Sequence, residues 1–227
     1  MMADHPLDRP VWHALTGPHA RFALGGGLAR RFHPAIGPLS AAAQDDDVGM
    51  RALAALVPAD EALFTLQALR HGELPGIATE RREALQMIAD MSRMQPETDG
   101  EMTRLTSADA EDMLALATLT EPGPFGIRTG ELGQFWGVKA KGKLVAMAGE
   151  RLRLDGYTEV SGVCVHPAFR GRGHARALML RVMRQIADRG ETPFLTAYAH
   201  NKGAIALYES IGFRTRREMV ISVLRRA

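Results

Sequence analysis

A single cysteine, Cys164, is all the chain contains, so no internal disulfide can form and a reducing compartment is the natural setting. No apolar run approaches the roughly 18 residues that a membrane span needs. The opening MMADHPLDRP lacks the basic-then-apolar order of a secretory leader. Charge of one sign is scarce as well: 28 Lys and Arg against 26 Asp and Glu leave +2, too little to argue for nucleic acid. The eight histidines show no paired ligand spacing, so no metal is expected. What remains is 227 residues, 46% hydrophobic and 24% charged, the balance of a water-soluble globular protein expected in the cytoplasm. That length holds one large domain, or one domain and a smaller partner.

Residues 1–100 carry weak patterns. Val11 to Thr16 after Pro10 reads as one or two helical turns, stopped by Gly17-Pro18. Phe22 to Phe32, with Gly25-Gly26-Gly27 inside it, reads as a hairpin or loop; no Lys-Ser/Thr follows to make the glycines a phosphate loop. Asp45-Asp46-Asp47 precedes the helical pattern Met50, Leu53, Leu56 and Val57, and reads as a cap rather than a metal site. Glu61–Leu66 and Ala84–Ala89 are expected strands, and Gln95–Gly100 is the expected linker. The division is therefore 1–100, a smaller α/β segment, and 101–227.

After the linker the order is helix, three antiparallel strands, helix, strand, helix, strand. Thr106 or Ser107 caps the first helix, and Glu121-Pro122-Gly123-Pro124-Phe125 ends it. Strands are expected at Gln134–Lys139, Leu144–Leu152 and Thr158–His166. A helix follows from Gly173 to Arg189, a strand from Pro193 to Tyr198, a helix from the Asn201 cap to about Ile211, and a last strand at Arg216–Leu224. This is an α+β pattern around a mixed, mainly antiparallel sheet flanked by helices.

The most informative stretch is Val163–Ala175, VCVHPAFRGRGHA. A strand ends at His166-Pro167, and the Arg170-Gly171-Arg172-Gly173 turn opens directly into a helix. Amides at such a junction lack internal partners and carry the positive end of the helix dipole. Glycines let a bulky anion approach the main chain, so the turn is a candidate pyrophosphate cradle. A Rossmann fingerprint is disfavoured, because Arg176 stands where its third glycine belongs and no acidic residue ends the next strand.

Arg170, Gly173 and Ala175, preceded by Val163, Val165 and Pro167, together with Asn201, Ala204, Leu207, Tyr208, Gly212 and Phe213 of NKGAIALYESIGF, resemble the GNAT superfamily of acetyl-CoA-dependent N-acetyltransferases. The resemblance covers about residues 101–227. It implies that the amides of Gly171, Arg172, Gly173, His174, Ala175 and Arg176, with Arg170, hold the pyrophosphate of coenzyme A. It also implies that the main chain of Val163, Cys164 and Val165 pairs with the pantetheine arm, between splayed strands Ser161–Val165 and Phe194–Tyr198. The Val165 N–H would face the thioester oxygen, Asn201 would hydrogen-bond the arm, and Tyr208 would protonate the departing thiolate. The loop Pro122–Phe125 with Thr129, the run AMAGERL and the ending GFRTRREMVISVL resemble a bacterial branch whose N-terminal extension looks like a reduced second copy of the fold. By position in that family, Phe125, Trp136, Glu150 and Arg217 would lie near the acceptor.

The residues also admit plainer roles. Asn201 can be an N-cap, Tyr208 a packed amphipathic side chain, and Cys164 a buried small hydrophobe rather than an acyl carrier. An alkylamine near pKa 10 is mostly protonated at neutral pH, so a base is expected. Glu150 and Glu159 are the first candidates, with His166 and His200 as outsiders. The expected reaction moves an acetyl group from acetyl-CoA to a primary amine by direct attack in a ternary complex. The rivals are a non-catalytic acyl-CoA sensor or scaffold, a longer acyl donor, or a protein amino group as acceptor. The expected partners are acetyl-CoA and an amine, without nucleic acid or membrane, in a chain that could form a homodimer.

Overall fold

The computed structural model describes residues 5–96 and 100–227. Residues 1–4 of the opening and 97–99 of the expected linker lie outside the described residues. The first helix, α1 (Pro10–Thr16), starts on a proline whose missing N–H costs nothing there. The glycine triplet joins β1 (Ala23–Gly25) to β2 (Ala29–Phe32) in an antiparallel hairpin, and β3 (Ser40–Ala42) completes a small sheet. α2 (Asp47–Leu56) is capped by Asp46, whose carboxylate accepts the Gly49 N–H at 2.7 Å.

The main sheet begins with β4 (Leu63–Gln67) and β5 (Ile77–Ala89). The short strand β6 (Thr103–Leu105) leads through a Thr106–Asp109 capping box to α3 (Ala110–Thr120). Then come β7 (Phe135–Ala140), β8 (Lys143–Leu154) and β9 (Tyr157–Val165). α4 (His174–Asp188), β10 (Thr192–Tyr198), α5 (Lys202–Ser210) and β11 (Phe213–Arg226) finish the chain. The eight strands lie in the order β4-β11-β5-β10-β9-β8-β7-β6. Every pairing is antiparallel except that of β9 with β10.

The expected boundary near residue 100 does not separate two sheets. β5 lies between β10 and β11, in register with Tyr198 and Phe194 on one side and with Phe213 to Arg226 on the other. β5 is also longer than expected, because its polar half Ile77–Glu83 continues the ladder with β11 where the sequence shows no apolar alternation.

Two layers cover the sheet. On one face, α4 and α5 bury Leu178, Val182, Met183, Ile186 and Ile205 against Ala146, Ala148, Val160, Leu195 and Ala197. The spacing of the α4 residues is the helical stripe read from the sequence. On the other face, α1 and the small sheet pack Leu7, Val11, Phe32 and Ile36 onto Leu66, Ala84, Phe194 and Met219. α3 lies on that same face, over Phe135, Met147 and Cys164. Among the described residues, no helix is long and apolar enough to cross a membrane.

Candidate active site

The parallel ladder of β9 with β10 covers only Tyr157–Glu159 against Thr192–Phe194. Past that point each strand keeps only its outer neighbour: β9 stays on β8 as far as Val165 against Ala146, and β10 stays on β5 as far as Tyr198 against Ala84. The sheet therefore opens in a notch. The His166 N–H donates to the Val145 carbonyl at 2.8 Å, toward β8. Successive residues of a strand turn their backbone groups to opposite sides, so the N–H groups of Val165 and Val163 face the notch. Gly162, with φ of +63°, places a bulge just before them. A side chain there would meet the Phe135 ring at 2.8 Å.

Below the notch, the turn Arg170–Gly173 carries Gly171 at φ +76° and Gly173 at φ +79°. Gly173 is the N-cap of α4 and supplies no side-chain cap, so the first amides of a 15-residue helix are left to an outside acceptor. Space around both glycines is open. Arg172 turns back, its guanidinium 4.9 Å from the centre of the Phe169 ring and donating to the Ala168 carbonyl at 3.4 Å. Arg170 stays exposed, while His174, Ala175 and Arg176 are half-buried. This cradle of amides beside an exposed cation fits a diphosphate.

On the other edge of the notch, the Asn201 carbonyl oxygen accepts the Ala204 N–H at 3.2 Å, capping α5. Its amide NH2 remains to donate elsewhere. About two turns further on, Tyr208 packs edge-on against Phe213 with ring centres 6.3 Å apart. Burial alone pushes its phenol pKa up, so the group is protonated at neutral pH. Asn201 and Tyr208 open into a chamber of about 110 Å³ walled also by Leu39, Phe64, Leu66, Thr196, Tyr198 and Arg151.

The expected bases are engaged elsewhere. Glu159 is fully buried and bidentate to Arg151 at 2.8 and 3.0 Å. Burial pulls the Arg151 pKa down, but the Glu159 charge and hydrogen bonds outweigh it, and the guanidinium is held more firmly charged. Glu150 faces α4, where Gln185 and Arg189 (2.9 Å) both donate to its Oε1. His166 Nδ1 accepts the Ala168 N–H at 3.2 Å, and His200 stacks on Tyr198. A base needs a lone pair aimed at the incoming amine, and none of these four lines the chamber.

Two of the positions expected near the acceptor are likewise held elsewhere. Trp136 lies on the α4 face, donating to Gln185 at 2.9 Å under the Arg181 guanidinium. Arg217 pairs with Asp8 at 2.8 Å. Phe125 lines the outer vestibule of the chamber. Burial raises the Cys164 thiol pKa to about 11 despite a hydrogen bond with Thr120, so no thiolate is at hand for acyl transfer. Among the described residues, no three His, Cys, Asp or Glu side chains converge as a metal site would require.

What the sequence did not reveal is the far wall of the chamber. Leu39, Phe64 and Leu66 come from the first hundred residues. Loop 122–132 is tied to that segment. The Thr129 hydroxyl donates to the Ile36 carbonyl at 2.5 Å and accepts the Gly126 N–H at 2.7 Å, and the Arg128 N–H reaches the Ala35 carbonyl at 2.8 Å. A side chain on Gly126 would strike the Ala35 oxygen at 2.4 Å. Thr129 alone carried a trace of this in the sequence.

Comparison with known proteins agrees with this fold. Residues 136–222 match the family model described as FR47-like protein. The N-alpha-acetyltransferase RimI of Mycobacterium tuberculosis is 33% identical over 130 residues, 53% of this chain and 80% of that protein. The [Ribosomal protein bS18]-alanine N-acetyltransferase of Escherichia coli is 38% identical over 73 residues, 32% of this chain and 49% of that one. Among solved structures, a protein of Novosphingobium aromaticivorans described as a GNAT-family acetyltransferase superposes with a TM-score of 0.92 at 42% identity, over 99% of this chain and 100% of that one. A GCN5-related N-acetyltransferase of Kribbella flavida shares the fold, with a TM-score of 0.64 at 17% identity over 96% and 94% of the two chains.

Proposed function

This chain belongs to the GNAT family of N-acetyltransferases, and from that premise we propose that it moves an acetyl group from acetyl-CoA to a primary amine by direct attack within a ternary complex. The observation that carries the reading is the notch. It joins an uncapped helix N-terminus on the α4 side to a chamber holding, on the other, a protonated phenol without a hydrogen-bond partner among the described residues.

Arg170 and the amides from Gly171 to Arg176 hold the diphosphate, and the inward N–H groups of Val163 and Val165 receive the pantetheine arm as an added strand. The Val165 N–H stabilises negative charge on the thioester oxygen. The Asn201 amide positions the arm. The amine nitrogen forms a bond to the acyl carbon as the carbon–sulfur bond breaks; sulfur leaves with the electron pair and takes the Tyr208 proton. The proton released by the nitrogen restores the phenol, so atoms and charge balance. The Leu39, Phe64, Leu66 and Ile221 side chains facing Tyr208 favour a neutral amine over an ammonium in the chamber.

The test is thiol release from acetyl-CoA with a panel of primary amines, for wild type and Tyr208→Phe. A general acid typically contributes 10²–10⁴-fold. Tyr208→Phe is expected to lower kcat about 100-fold with little change in KM for acetyl-CoA. An unchanged kcat removes Tyr208 from the mechanism, and acetyl-CoA binding without release by any amine favours the sensor reading.

A further inference from the structure

We infer that the acceptor is a compact primary amine with a small apolar body, and that the first hundred residues set this limit by walling the chamber. The inference rests on the proposed acetyl transfer and names its substrate class.

The chamber beside Tyr208 holds about 110 Å³, bounded by Leu39, Phe64, Leu66 and Ile221 against the Pro122–Pro124 loop. An apolar cavity of ~150 Å³ takes up benzene. The space here is lined in part by Thr65, Arg151 and Thr196 and is shared with the acetyl group, and therefore suits an aliphatic amine of no more than about four to five carbons. A wider vestibule of about 550 Å³ leads to it past Arg82 and Glu121. Phe64, Gly123, Pro124 and Tyr198 line both spaces, so they form the neck between them.

A peptide acceptor would need free backbone groups along this passage, since extended chains dock by adding a strand. Those groups are taken. The Phe64 N–H donates to the Pro38 carbonyl at 2.8 Å, and Leu39 bridges to Phe64 in parallel. Pro38 and Leu39 thus close that backbone edge of Phe64 to a substrate chain. An amine enters end-on, past Phe64.

The test compares isoamylamine, 3-phenylpropylamine and an alanine-initiated hexapeptide as acceptors, by thiol release from acetyl-CoA. Wild type is expected to favour isoamylamine over each of the others by at least tenfold in kcat/KM. Phe64→Ala should raise the ratio of 3-phenylpropylamine to isoamylamine at least tenfold, leaving the acetyl-CoA Kd unchanged; Phe64→Leu repeats the test if the alanine variant is unstable. A hexapeptide turned over as well as isoamylamine overturns the inference, as does an unmoved ratio in a variant that melts like wild type. Calorimetric binding of the same three compounds to CoA-saturated protein decides the matter without turnover: tighter binding of the hexapeptide overturns it. Failure of the underlying reading shows separately, as an absence of acetyl-CoA binding.

Discussion

Everything suited to a donor comes from two consecutive strand–turn–helix passages, 157–188 on one edge of the notch and 192–210 on the other. The acceptor chamber beside them is walled by Leu39, Phe64, Leu66, Pro122, Arg151, Thr196 and Ile221. The donor side is made of backbone: open amides, two glycines in left-handed conformation, and an interrupted ladder. The acceptor side is made of side chains held by long-range ties. The comparison teaches that damage should differ on the two sides. Breaking an acceptor-side tie should cost stability, whereas altering the donor cradle should cost affinity and leave the fold alone.

The largest effect is expected at Glu159, the last position at which β9 still pairs with β10. Its carboxylate is the partner of Arg151, whose side chain lines the chamber. Glu159→Gln leaves a buried guanidinium without its counter-charge, and breaking such a pair costs about 3–5 kcal/mol. Urea unfolding should show that loss, and the double change Glu159→Leu with Arg151→Met should recover most of it. A Glu159→Gln protein as stable as wild type would mean that the acceptor wall does not depend on this tie.

Next comes a pH effect at the end of the clamped loop. His19 is buried against Phe22 and Phe32, and its Nε2 meets the Leu132 carbonyl at 3.1 Å. Burial lowers its pKa to about 4; the Leu132 bond opposes that shift, and the charges of Arg21 and Arg153 add to it. The native imidazole therefore stays neutral where the unfolded one, near 6.5, takes a proton. This contribution to stability is full above about pH 6.5 and falls as the pH drops to 4, by up to about 3 kcal/mol. His19→Gln should remove that part of the difference between unfolding at pH 7 and at pH 4. An identical pH dependence in the variant would place His19 outside the clamp.

The same contrast explains what could be read in advance. The cradle was legible because strand end, glycine turn and helix start are adjacent in the chain, and the Asn201 cap and Tyr208 share one helix. The chamber was not, because nothing local marks Phe64 or Leu39 as neighbours of Tyr208. The direction of Glu150 was hidden for a related reason. β8 shifts register between Met147 and Gly149 and again between Glu150 and Arg153, so counting by twos along the sequence cannot tell that Glu150 faces α4. β5 escaped as a partner of β10 because its place in the sheet depends on pairing across about half the chain.

The smallest effect, and the sharpest test of the donor side, is Arg170→Glu. Arg172 is occupied by Phe169 and Ala168, whereas Arg170 is exposed at the mouth of the cradle. Reversing its charge places a carboxylate beside the proposed diphosphate position. Solvent screens an exposed pair strongly, so the expected loss of acetyl-CoA affinity at low salt is about tenfold, or 1.4 kcal/mol. The gap between variant and wild type should narrow as salt approaches ~1 M, where the Debye length is ~3 Å. Urea stability should not move, because Arg170 joins no ion pair among the described residues. A salt-independent loss would mean that Arg170 shapes the turn instead of meeting phosphate, and a loss of stability would erase the contrast between the two sides of the notch.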